Sequence, residues 1–172
     1  MRQESVKYAT IDVETTGFSP DRGDRIIEVG AVILEGGLAV DEFHSLVDPG
    51  RRISFQAQQV NGITEEMLEG QPTPTQVFPL LHEFIRGAVL VAHNAGFDLS
   101  FLRHEFARLG LACNHRHICT LELSRLRYPQ LRNHKLETVF RHVAGSCAER
   151  QQHRALADAR MVAAIWLAME KY

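Results

Sequence analysis

"YATIDVETTGFSPDRGDRIIEVGAVILEGGLAVDEFHSLV", Tyr8–Val47, holds three extended runs separated by polar turns. Lys7–Val13 reads as a first strand, and "GFSPDRGDR" as a Gly/Pro loop. "IIEVGAVILEGG" reads as a second strand, and Gly36-Gly37 turns it into a third, "AVDEFHSLV". Strands joined by loops this short form an antiparallel meander. "DPG", Asp48–Gly50, ends it.

Beyond the meander the pattern becomes helical. "SFQAQQVNGITEEMLEG" reads as two short helices around Asn61-Gly62, and "TPTQVFPLLHEFIRG" as an amphipathic helix in which Pro79 introduces a kink or a late start. "AVLVAHN" is a short continuous apolar run, the pattern of a parallel strand buried on both faces. "FDLSFLRHEFARLG" is a helix with Phe97, Phe101, Leu102 and Phe106 in one stripe. "HICT" is a short strand. A helix broken at Pro129, one from about Lys135 to Ala144 and a last from about Ala155 to Glu170 complete the chain. The order βββ, helix, β, helix, β, helices describes an α/β fold. Its central sheet is mixed and five-stranded, a three-strand antiparallel meander plus two parallel strands, flanked by helices.

The bulk properties set limits. The 172 residues fit a single domain, residues 1–172, and the composition, 45% hydrophobic and 23% charged, is that of a soluble globular protein. Three cysteines without a CxxC pair argue against a disulfide scaffold and suit a reducing compartment. No leader and no apolar run of membrane-span length is read, so a cytoplasmic location and no membrane partner are expected. Charge is uneven. Residues 1–86 carry 7 Lys+Arg against 14 Asp+Glu, and residues 87–172 carry 12 against 7. The basic half reads either as solvated helix faces or as part of a phosphate-binding rim.

The acids are the informative residues. Asp12 and Glu14 stand two apart at the end of an apolar strand, so they share a face. Like charges that close disfavour ionisation unless a cation neutralises them. Oxygen ligands without a nearby Cys favour Mg²⁺ or Mn²⁺. The competing reading is a strand end with two solvated acids. Asp98, in "HNAGFD", falls in the first turn of a helix just past a strand, which suits the helix dipole or a site. Asn94 beside it can orient a carboxylate. In "HRALAD", His153 and Asp158 are about 140° apart around a helix, so they cannot share a helical face. Asp158 lies among apolar neighbours inside the last helix, and His153 fits the loop or first turn before it.

"DVET", "HNAGFD" and "HRALAD" together resemble the three motifs of the DnaQ-like DEDDh exonuclease family, which includes proofreading exonucleases of bacterial DNA polymerase III and RNase T. "NGIT" and "NHKLETV" resemble further family segments, and the likeness spans nearly the whole chain. The H-x₄-D ending fits the histidine type. The resemblance implies an RNase H-like fold and two divalent cations on Asp12, Glu14, Asp98 and Asp158, with His153 as general base. It implies 3′→5′ release of 5′-mononucleotides from single-stranded or frayed ends, DNA before RNA, with a DNA polymerase as an expected partner. An exoribonuclease of RNase T or oligoribonuclease type, and a non-catalytic nucleic-acid-binding module, are the alternatives. In the same light, Thr15, Thr16 and Gly17 offer donors and close approach to the terminal nucleotide. Phe18 matches the wedge position, with a loop residue folded on the core as the alternative. Ile63 is expected either in the base pocket or in the core.

Overall fold

The computed structural model describes residues 6–145 and 154–170. Five strands form one sheet in the order β3-β2-β1-β4-β5. The meander is β1 (Tyr8–Thr15), β2 (Ile26–Glu35) and β3 (Leu38–Leu46), antiparallel throughout. β4 (Val89–Ala92) and β5 (His117–Cys119) complete the sheet, β4 pairing parallel to β1 and β5 parallel to β4. The helices are α1 (Phe55–Asn61), α2 (Glu65–Leu68), α3 (Pro74–Phe84), α4 (Ala95–Arg108), α5 (Thr120–Arg127), α6 (Leu136–Ala144) and α7 (Ala155–Glu170). This is the expected RNase H-like arrangement.

The alternation of β1 sorts the core. Ala9, Ile11 and Val13 face α3 and α4, where Phe78, Phe101 and Phe106 fill the space. The opposite face lies under α7. There Val32, Leu34 and Val91 pack on Ala159, Val162 and Trp166, and the Thr10 hydroxyl donates to Ala159 O at 2.9 Å. The acid-bearing face of β1 is therefore the one α7 packs on, with Asp12 and Glu14 left half-buried at its end. α7 gets this close because Gly30 has no side chain; a Cβ there would overlap the backbone of Ala155 and Leu156.

Local signals set the ends of several elements. Ser54 caps α1 by accepting Ala57 N–H at 3.2 Å, and Thr64 caps α2 by accepting Met67 N–H at 3.3 Å. Pro79 lies inside α3, which continues through it. β3 is the exception to burial: most of it is exposed, at the edge of the sheet. No helix among the described residues is long and apolar enough to cross a membrane.

Candidate active site

β1 pairs with β4 only as far as Thr10↔Val91, then runs on to Thr15. Asp12 and Glu14 stand on this overhang. Asp158, in the first turn of α7, projects onto the same place. One carboxylate oxygen from each of Asp12, Glu14 and Asp158 lies within 4.8 Å of the others. Asp98, 3% exposed, arrives from the first turn of α4, and its Oδ1 accepts the Val13 N–H at 3.2 Å. That donor lies past the end of the β1–β4 ladder, so the acid replaces a strand partner. Two strand residues and two helix starts thus converge at one end of the sheet.

The electrostatics are those of a crowded anionic pocket. Burial is the main cause that pushes the Asp12 carboxyl far above its ordinary range, helped by Asp98, Asp158, Glu14 and Glu28. Glu14 is pushed up to about 8 by burial, then by Asp158, Glu28 and Asp98, with Arg154 opposing. Burial also raises Asp98, against its own N–H and that of Val13. Acids that resist ionising together form a set of hard oxygen donors suited to divalent cations.

The loop after β1 is held from within. Thr15 Oγ1 donates to Gly17 O at 2.5 Å, and Thr16 Oγ1 accepts Arg25 N–H at 3.0 Å while donating to Asp24 Oδ1 at 3.4 Å. The two hydroxyls expected to meet a nucleotide are therefore engaged in building the loop. Gly17 is needed for Asp24, whose carboxylate occupies the space a Cβ would take and accepts Ser19 N–H at 3.1 Å. Arg25 clamps the loop to α4 through two 2.6 Å contacts with buried Glu105. Phe18 is 62% exposed at the loop tip and is not folded onto the core. Ile63 takes the opposite place, fully buried with Ile27 and Leu68. The Asn61 amide secures that stretch by donating to Thr15 O at 3.2 Å.

Asn94 has a left-handed backbone (φ 74°) at the start of α4, and its side chain is exposed without making a cap bond. His93 is a packed residue. Its Nδ1 lies 3.0 Å from Thr120 Oγ1 and its Nε2 2.8 Å from His134 O. His153 lies outside the described residues. Sequence reading missed Glu28, Asp24 and Gly30; an acid inside the apolar run "IIEVGAVIL" was the available signal for Glu28.

The exonuclease family model, RNase T type, matches residues 10–166. The chain is 40% identical over 159 residues to DNA polymerase III PolC-type of Clostridium perfringens, covering 92% of this chain and 11% of that protein. It is 39% identical over 161 residues to the PolC-type enzyme of Thermotoga maritima, covering 93% and 12%. The chain thus spans about a tenth of the length of these curated relatives. Among solved structures, Exonuclease X in complex with 5′ overhanging duplex DNA is similar at a TM-score of 0.75 and 28% identity, covering 95% of this chain and 92% of that one. The zinc-bound E. coli Exonuclease I–ssDNA complex shares the fold at a TM-score of 0.83 and 18% identity, covering 98% and 41%.

Proposed function

Because the chain belongs to the RNase T-type exonuclease family, we propose that residues 1–172 form one domain that degrades DNA from single-stranded or frayed 3′ ends. It releases 5′-mononucleotides with the help of two divalent cations, Mg²⁺ or Mn²⁺. The observation that carries this reading is the meeting of Asp12, Glu14 and Asp158 within 4.8 Å, with Asp98 fixed beside them on Val13 N–H.

Asp12, Glu14 and Asp158 would hold one cation, and Asp12 with Asp98 the other. The chemistry that cations held there would supply is polarisation of the phosphodiester and a lower pKa for the attacking water. The chain's own residues do the rest. The raised carboxyls must give up their protons as cations bind, which couples the site to pH. His153 takes the proton of the attacking water, a role that suits a histidine side chain near neutral pH. Phe18, exposed on a braced loop, stacks against or parts the terminal bases, contacts that tolerate any sequence.

DNA is preferred over RNA as substrate on the strength of Exonuclease X, solved with duplex DNA, and of the PolC-type polymerases. The latter likeness also supports a polymerase as partner and a cytoplasmic site of action. The test uses 5′-labelled DNA and matched RNA oligonucleotides, single- and double-stranded, with Mg²⁺ or Mn²⁺ and then with EDTA. A ladder shortening from the 3′ end, faster on DNA and abolished by EDTA, is expected. Faster loss of RNA reassigns the substrate, and intact oligonucleotides under every condition overturn the enzyme reading.

A further inference from the structure

Glu28 is fully buried near the start of β2, where an unpaired carboxylate would be costly. Its register partner on β1 is Glu14, so the two acids project from the same face of neighbouring strands. Position alone would add Glu28 to the acid cluster. Its oxygens are committed elsewhere. Arg154 Nε donates to Oε1 at 2.9 Å and Oε2 at 3.2 Å, and Arg154 Nη2 lies 2.9 Å from Oε1. Ala155 N–H donates to Oε2 at 3.3 Å, and His44 Nε2 sits 2.6 Å from Oε1.

Two of those partners open α7. The Asp158 N–H donates to Arg154 O at 3.0 Å, so the residue that Glu28 grips closes the turn that carries Asp158. Glu28 acts on α7 as a helix cap supplied by another strand, with its charge at the positive end of the helix dipole. Gly30, the register partner of Asp12, lets that turn rest on β2. The acids of β1 and the turn of α7 are thereby referred to one neighbouring strand.

We propose that Glu28 is a positioning residue: by gripping Arg154 and Ala155 it sets where the Asp158 carboxylate stands relative to Asp12 and Glu14. This rests on the metal-dependent reading above. Glu28 touches neither substrate nor cation. Its effect is on the geometry of a shared cation site, where supporting contacts typically matter about 10–100-fold.

The decisive variant is Arg154→Met, because charge and geometry predict opposite results. Removing a cation near the acid cluster should strengthen metal binding if only charge matters. Loss of positioning should weaken it. Mn²⁺ titration of the metal-free protein by calorimetry reads this without turnover, and kcat and KM on a DNA oligonucleotide read the consequence. For Arg154→Met and Glu28→Gln, Mn²⁺ affinity is expected to fall about 10-fold and kcat about 10–100-fold, with KM within about twofold of the parent. The double variant should cost no more than the worse single, since both break one contact. Arg154 is partly exposed (33%), which keeps a folded variant available should Glu28→Gln not fold. Tighter Mn²⁺ binding in Arg154→Met, unchanged kcat in folded variants, or additive losses overturn the proposal. A parent that neither binds Mn²⁺ nor shortens oligonucleotides overturns instead the reading beneath it.

Discussion

Asp98 accepts the backbone N–H of Val13 at 3.2 Å, the residue between the two acids of β1. One carboxylate, proposed above as a cation ligand, thus also closes the end of a strand, and substitution can separate the two roles. Asn at position 98 keeps an oxygen for Val13, whereas Ala leaves the donor unpaired, at a cost of about 1–3 kcal/mol. Asp98→Asn should abolish degradation with an unchanged or higher melting temperature. Asp98→Ala should lose activity and melt several degrees lower. Thermal melts beside the oligonucleotide assay check this; equal melting of the two variants would refute the strand-end role.

The raised carboxyls fix the sign of the pH dependence. Glu14 keeps its proton up to about 8 in the folded chain, against an ordinary 4.5. The metal-free folded state therefore binds protons that the unfolded chain has released in that window. Its stability should fall as pH rises from about 4.5 to about 8 and level off beyond. Melting in EDTA across that range is expected to decline, and saturating Mn²⁺ should offset or reverse the trend. A rising metal-free melting temperature would contradict the burial of these acids.

Burial beside other acids makes the proposed cation ligand Asp12 destabilising when no cation is bound. Asp12→Asn should raise the metal-free melting temperature by roughly 2–6 °C, at about 2–4 °C per kcal/mol for a chain of this size. It should lose the stabilisation by Mn²⁺ and reduce turnover about 1000-fold or more, about 4 kcal/mol of barrier. Calorimetric melts with and without Mn²⁺ decide it.

Phe18 and its neighbour Gly17 should respond in opposite ways. Phe18→Ala removes an exposed side chain, so stability should hold while degradation of base-paired ends slows about 10-fold, the loss of one stacked base at about 1–3 kcal/mol. Gly17→Ala forces a Cβ into the Asp24 carboxylate and should cost about 1–3 kcal/mol of stability. A Phe18→Ala protein that opens frayed and paired ends like the parent would remove the wedge role.

The meander was legible because its connections are polar and Gly-marked, and the parallel strands because "AVLVAHN" is apolar without alternation. The pair Asp12–Glu14 was legible because strand geometry alone puts i and i+2 together. Asp158 and Asp98 were readable as acids needing an explanation, but as neighbours only through the family resemblance, since spacing alone does not bring α4 and α7 to one strand end. Glu28 was hidden by its setting: one acid in a long apolar run looks like a tolerated strand residue until its partners are known. Thr15 and Thr16 have a second task that the sequence did not announce. A hydroxyl beside a site reads as a substrate donor, and here both hydroxyls also brace the loop that carries them.

The Thr10 hydroxyl reaches Ala159 across 149 residues of chain, and the acid cluster is split in the same way between the first strand and the last helix. A chain still being synthesised has Asp12 and Glu14 long before it has Asp158. The acids of β1 and the acid of α7 therefore meet only after α7 has docked on the sheet, however early the meander folds. On the reading proposed above, the cation site is complete only with α7 in place, so it belongs to the whole fold and to no local piece of it.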